Sequence, residues 1–142
     1  MNLGEQFRSD VVTAEPTDSI ESVVGKMNLH DMGAVVIVQN QKVVGIVTDR
    51  DVALGLGLGK AQPDTPVSQI MTKKVLTIWE DQGVFNATQY LMGHKVRRLP
   101  IINRDDELVG MVTMDDLIGL LGQELANVSK AVAPALAEKA AH

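Results

Sequence analysis

Thr48 and Asp51, and again Thr113 and Asp116, set a hydroxyl and a carboxylate three residues apart at the end of an apolar run. The two stretches are GIVTDRD at 45–51 and GMVTMDD at 110–116. If each run is a strand and each aspartate opens a helix, two chemistries suit the pair. One is structural: the threonine accepts from a free helix NH and the aspartate reaches back, giving a reciprocal N-terminal cap. The other is ligand binding. A carboxylate held at a helix start can accept from two vicinal hydroxyls, as on a ribose, and the nearby NH groups favour a phosphate. The two are compatible, since a residue that binds ligand can cap when the site is empty.

The densest basic cluster is HKVRR at 94–98, read either as a solvated loop or as a phosphate contact. GLGLGK at 55–60 lacks the spacer of a nucleotide-binding P-loop, and Ala61 stands where its hydroxyl should be, so it reads as a linker or helix end. His30, His94 and His142 are the only histidines; the first two fall at helix ends, where imidazole can bond terminal carbonyls. No metal-ligand spacing and no nucleophile elbow is present, so catalysis is not expected. Trp79 and Tyr90 are isolated aromatics, expected to pack rather than to form a cofactor box.

Composition narrows the classes further. The chain has 142 residues, 45% hydrophobic but only 3% aromatic, so its core must be aliphatic and it cannot build a stacking platform for single strands. A net charge of −5 opposes binding to duplex nucleic acid. There is no cysteine, and no run is long enough to span a membrane. MNLGEQFRSD lacks the layout of a signal peptide, so a cytoplasmic protein is expected.

The elements that must position the two motifs are themselves duplicated. Shifted by 64 positions, VVTAEPTDSI (11–20) falls on VLTIWEDQGV (75–84) and GAVVIV (33–38) on RRLPII (97–102). After one inserted residue, VVGIVT (43–48) falls on LVGMVT (108–113). Ile20, Val23, Val24 and Met27 match Val84, Ala87, Thr88 and Leu91, each set at the spacing of one helix face. Each half therefore reads strand, helix, strand, turn, strand, helix. Strands are expected near 11–14, 34–38 and 43–47, and again at 75–78, 98–102 and 107–112. Helices are expected at 18–30, with Asp18 and Glu21 as a capping box, from Asp49, at 81–93, and from 114. The last should end at Pro134, with a frayed tail beyond; Leu121, Leu125, Val128 and Val132 share one of its faces. The fold class is α/β (α+β), with one domain at 1–62, a second at 63–123, and a C-terminal helix and tail at 124–142. The Gly- and Pro-rich stretch 55–66 connects the halves, and 66–72 is a short helical lead-in. A half of this size buries too little to be secure alone, so the halves should pack on each other.

Each half resembles a CBS domain, the module named after cystathionine β-synthase. The resemblance rests on MTKKVLT (71–77), VRRLPII (96–102), and the GIVTDRD and GMVTMDD motifs, and covers about 7–117. It implies two such domains packed through their sheets as a pseudo-two-fold pair, with two clefts between them. The family commonly binds adenosine-containing ligands there: AMP, ADP, ATP, S-adenosylmethionine or NAD. It also implies a homodimer of pairs, and a non-catalytic regulatory role toward a separate protein. Carried over by motif, Asp51 and Asp116 hold ribose hydroxyls, and Thr48 and Thr113 the ribose or phosphate. Thr13, Ala14, Thr77 and Ile78 border the base, as do Ala34, Val35, Leu99 and Pro100. Arg97 and Arg98 meet phosphate.

The first half departs from this pattern. Gly33 and Ala34 stand where the second half has Arg97 and Arg98, Val36 replaces the strand proline, and Phe7 replaces a lead-in methionine. Phosphate charge near Asp51 would then come from Arg50 or from across the pair. The cleft holding Asp116 is expected to be the better site. The alternative is a ligand-free dimeric scaffold in which both motifs only cap helices.

Overall fold

The computed structural model describes residues 2–94 and 96–141, with side chains as far as Ala133. Lys95 of the basic cluster, His142 and the side chains of the tail beyond Pro134 lie outside the described residues.

Two three-stranded sheets carry the fold. In the first, β1 (Thr13–Ala14) lies parallel to β2 (Ala34–Gln39), which pairs antiparallel with β3 (Lys42–Thr48). The second repeats this with β4 (Ile78–Trp79), β5 (Arg98–Ile102) and β6 (Leu108–Thr113). Helices α2 (Ile20–His30) and α4 (Val84–His94) make the crossovers, and α3 (Asp49–Gly57) and α5 (Met114–Ala141) follow the sheets. The registers are repeat-equivalent: Ala34 faces Thr48 as Arg98 faces Thr113.

The pleat explains the apolar runs. Val35 and Ile37 point into one helix-covered core with Val23, Met27 and Val47. Leu99 and Ile101 point into the other with Ala87, Leu91 and Val112. Alternation sends the equivalents Val36 and Pro100 to the opposite face, toward the seam between halves, and both are buried. The halves also meet at their hairpin turns. There Lys42 bridges its own repeat equivalent Glu107, and Leu108 NH donates to the Gln41 carbonyl at 3.1 Å. A residue facing its own equivalent marks the pseudo-two-fold axis.

The lead-in segments are exchanged between halves. Helix α1 (Leu3–Phe7) sends fully buried Leu3 into the core of the second half, and Phe7 packs beside it. Val67, which opens a 3-10 turn (Val67–Gln69), is fully buried in the core of the first half, with Ile70 and Met71 against it. Packing therefore crosses the expected boundary at 62/63 in both directions. Each such apolar side chain contributes about 1.5–3 kcal/mol by leaving water, so the exchange ties each half to the other.

The first strand of each half is shorter than expected, at Thr13–Ala14 against 11–14 and Ile78–Trp79 against 75–78, and three helix boundaries differ as well. The cap of α2 is Ser19, whose Oγ accepts from Ser22 NH at 3.1 Å. Asp18 is not the cap: its carboxylate turns back to Glu15 NH at 2.8 Å and closes the preceding turn. Helix α4 begins at Val84 rather than 81, because the carbonyls of Glu80 and Gln82 accept instead from Gly4 and Leu3 of the exchanged α1. Helix α5 runs past Pro134 to Ala141. Proline costs one backbone bond, but alanine, leucine, glutamate and lysine on either side are strong helix formers. Within the first motif helix, Gly57 ends α3 and Gly59 follows at φ +69°, so GLGLGK is a helix end.

Candidate functional site

Both Thr-x-x-Asp motifs sit where a strand passes into a helix, and both close a reciprocal cap. Asp51 NH donates to Thr48 Oγ1 at 3.2 Å, and Asp51 Oδ2 accepts from Thr48 NH at 2.9 Å and from the Thr48 hydroxyl at 3.1 Å. In the second copy Asp116 NH donates to Thr113 Oγ1 at 3.0 Å and Thr113 NH to Asp116 Oδ2 at 2.9 Å. These described bonds engage Oδ2 of each carboxylate, and neither Asp51 nor Asp116 is among the residues lining the clefts that Thr48 and Thr113 border. The capping geometry is thus real, and it holds the hydroxyl at the mouth of a cleft.

Two clefts open there, on either side of the axis. The larger, about 670 Å³, is lined by Ile46, Thr48, Asp49 and Arg50 of the first half. The second half closes it with Lys74, Val75, Leu76, Val96, Arg97 and Arg98. The smaller, about 360 Å³, sets Met111 and Thr113 of the second half against Ser9, Asp10, Val11, Val12, Asp31, Met32, Gly33 and Ala34 of the first. Arg98 borders it as well. Each cleft therefore joins the motif of one half to the helix–strand corner of the other. The apolar walls, Val75 and Leu76 or Val11 and Val12, can flank a flat base; the charged residues line the rest.

This cross-over redistributes the residues singled out from sequence. The sequence expectation places Arg97 and Arg98 with Asp116, in the helix that follows Thr113, the ladder partner of Arg98. Both also line the Thr48 cleft, because the halves face each other corner to motif. A small pocket of about 110 Å³ keeps them beside Thr113, Met114 and Asp115 on the other side. Arg97 and Arg98 thus border the surroundings of both motifs, and the larger group of cations lies at Thr48 rather than at Thr113. Arg50 lines the Thr48 cleft, as expected if charge came from it and from across the pair.

The strand residues assigned to the base divide differently. Ala34 reaches the Thr113 cleft. Ala14 and Val35, and Ile78 and Leu99, are buried in the two half-cores, and Pro100 is buried at the seam. Thr13 lines a separate shallow pocket and receives Lys26 Nζ on its carbonyl at 2.6 Å. Thr77 lines another with Trp79 and Tyr90. The apolar walls of the two clefts lie one to three residues earlier in the chain, at 11–12 and 75–76. The repeat alignment contained that signal, since the apolar pairs Val11-Val12 and Val75-Leu76 coincide at the same offset. Lys74, Asp10, Met32 and Met111 carried no signal of their own.

Other singled-out residues are accounted for. His94 Nδ1 lies 3.1 Å from the Tyr90 carbonyl, the helix-end contact expected of it. Arg104 stacks 3.9 Å over the Trp79 ring and pairs with Asp81 at 2.6 Å. Among the described residues, no group of three or more His, Asp or Glu gathers where a metal could bind, and no helix is long and apolar enough to cross a membrane.

Comparison with known proteins agrees with this architecture. The family described as CBS domain matches residues 5–56 and 67–123. The protein MK0525 of Methanopyrus kandleri is 35% identical over 120 residues, which are 83% of this chain and 61% of that protein. The chain thus spans about three fifths of that relative. The CBS domain-containing protein YhcV of Bacillus subtilis is 32% identical over 116 residues, 82% of each chain. Among solved structures, the CBS domain pair of protein MJ0100, in complex with 5′-methylthioadenosine and S-adenosylmethionine, superposes with a TM-score of 0.76 at 26% identity. That match covers 87% of this chain and 98% of the other. With both halves matched in tandem, and most of the chain shared with YhcV, the chain belongs to the CBS-domain family.

Proposed function

We propose that the chain is a non-catalytic regulatory module. It binds an adenosine-containing ligand, such as AMP, ADP, ATP or S-adenosylmethionine, in a cleft between its two CBS domains. The observation that carries this reading is the Thr48 cleft: Arg50, Lys74, Arg97 and Arg98 converge there, and among the described residues none of them forms an ion pair. Unpaired cations around a helix N-terminus and apolar walls suit a phosphate joined to a flat base. The adenosine compounds named for MJ0100 give the ligand class further support. Because each cleft is walled by both halves, occupancy biases the angle between them. A ligand can do so only as far as it prefers one angle, and a separate protein reads the change.

The module works as a homodimer in this reading. Ile118, Leu121, Leu125, Val128 and Val132 recur at alternating steps of three and four along α5, and all five are exposed. That heptad spacing fits a helix pairing with a second helix. A thermal melt tests the ligand. AMP, ADP, ATP, S-adenosylmethionine and NAD are each added at saturation, and a binder raises stability by RT ln(1 + [L]/Kd), about 2.7 kcal/mol at a hundredfold excess over Kd. The completed caps favour the rival, a ligand-free scaffold, because they give Thr and Asp a sufficient structural reason to be there. No shift with any of the five compounds would establish that rival.

A further inference from the structure

The repeat makes the two clefts equivalent wall by wall, so their charges can be compared at matched positions. Lys74 of the Thr48 cleft corresponds to Asp10 of the Thr113 cleft. Arg97 and Arg98 correspond to Gly33 and Ala34. Arg50 corresponds to Asp115, which lies beside Thr113 in the small pocket. The apolar walls keep their character: Val75 and Leu76 match Val11 and Val12, and Ile46 matches Met111. The apolar character of the walls is thus retained while the charge reverses. The Thr48 cleft holds four cations against the single carboxylate Asp49; the Thr113 cleft holds Asp10 and Asp31 against Arg98 alone.

Resting on the reading that these clefts take adenosine ligands, we propose that they divide them by charge. The Thr48 cleft takes a nucleoside di- or triphosphate, and the Thr113 cleft takes a phosphate-free adenosine derivative. The argument is electrostatic. Several cations converging on one concave site, unpaired among the described residues, attract a polyphosphate more strongly than the same cations dispersed over an open surface. Two carboxylates in the matched position repel it, and favour a neutral or cationic substituent at the 5′ carbon. Volume agrees, since the larger cleft is the basic one and a polyphosphate needs the added room.

Arg98 connects the two. It borders both clefts, and its Nη2 lies 3.8 Å from where a Cβ on Gly33 would be, at the corner of the opposite half. A phosphate that draws Arg98 toward Thr48 leaves Asp10 and Asp31 unopposed in the other cleft. Occupancy of the clefts is then linked, and the linkage is reciprocal.

Calorimetry on the full chain tests the division with three probes: ATP, 5′-methylthioadenosine and inorganic tripolyphosphate. The expected result is one ATP per chain and one methylthioadenosine per chain, neither displacing the other, with tripolyphosphate displacing only ATP. Arg97→Gly, which installs the residue of the other half, should weaken ATP and tripolyphosphate by roughly 10- to 100-fold and leave methylthioadenosine unchanged. Asp10→Lys, at an exposed position, should raise ATP stoichiometry from one to two. Two equal ATP sites in the unaltered chain, or methylthioadenosine and ATP competing for one site, would overturn the division while leaving the adenosine reading intact. Tripolyphosphate binding that Arg97→Gly abolishes, with no adenosine compound binding, would instead keep the charge division and remove the adenosine reading. If none of the three probes binds, both fail.

Discussion

The carbonyl oxygen of Phe7 lies 2.3 Å from the place where a Cβ on Gly110 would stand. Gly110 is the glycine of the second GMVT motif, and its equivalent Gly45 is approached in the same way by the other exchanged lead-in, at Met71 Sδ. The two contacts differ in kind. Against Gly110 the obstacle is backbone, held by Ser9 NH donating to the Val109 carbonyl at 3.3 Å. Against Gly45 it is the flexible end of a methionine. Gly110→Ala should therefore destabilise the fold by about 1–3 kcal/mol, as overpacking does, and Gly45→Ala by clearly less. Denaturant melts of the two variants check the order; equal losses would mean that the Phe7 backbone can move aside.

The exchange of lead-ins makes a second prediction about distance along the chain. Leu3 belongs to the first repeat but is buried among Ile78, Ala87, Leu99 and Val112 of the second. Leu3→Ala should cost about 2–5 kcal/mol. In hydrogen exchange the loss of protection should concentrate at 98–113, with the strands at 34–48 spared. Val67→Ala should give the converse pattern, since Val67 packs with Val23, Val35 and Val47. Loss of protection confined to the mutated repeat would contradict the exchange.

The sequence carried the fold because the signals were local and doubled. The short continuous apolar runs AVVIV and LPII, bounded by turn residues, each name a strand, and helical spacing in Ile20, Val23 and Met27 names a helix and its buried face. The repeat then tied the elements into two equal halves. The exchanged lead-ins were not legible, because the apolar residues of 3–7 fit either core equally well and only the three-dimensional path of the chain decides. The site was legible in its motif and not in its partners. Thr48 and Thr113 mark the cleft mouths, but Arg97 and Lys74 join Thr48 across the pseudo-two-fold axis, a relation that neither spacing nor periodicity encodes. The core positions of Leu99, Val35, Ala14 and Ile78 follow from the pleat, which turns those side chains toward the helices.

A third prediction concerns α5. From Leu121 to Ala133 every residue is exposed, and Leu125 is 67% exposed. The stripe from Ile118 to Val132 spans about 21 Å at 1.5 Å per residue. Of the flanking positions, Gly122, Ser129 and Ala131 are small and uncharged and Glu124 alone carries a charge, so little like-charge repulsion opposes the approach of two copies. Leu125→Asp should convert a dimer into a monomer in sedimentation, with secondary structure unchanged because the position touches no core. A dimer that persists would assign the self-contact to another face.

The last prediction separates capping from binding at the motif. Thr48→Ala and Thr113→Ala each remove the hydroxyl that accepts from the aspartate NH, at 3.2 and 3.0 Å respectively. Each should cost about 1 kcal/mol of stability, the usual worth of an N-cap. Their effects on ligand should differ, because Thr48 lines the basic cleft and Thr113 the acidic one. Thr48→Ala should weaken ATP by roughly tenfold, corresponding to about 1.4 kcal/mol, whereas Thr113→Ala should leave ATP nearly unchanged and weaken 5′-methylthioadenosine instead. Thr48→Ser retains a hydroxyl in the same place and should restore both cap and affinity. Paired melts and titrations on the three variants read the two roles apart: equal stability losses without any change in ATP affinity would mean that the threonines only start their helices.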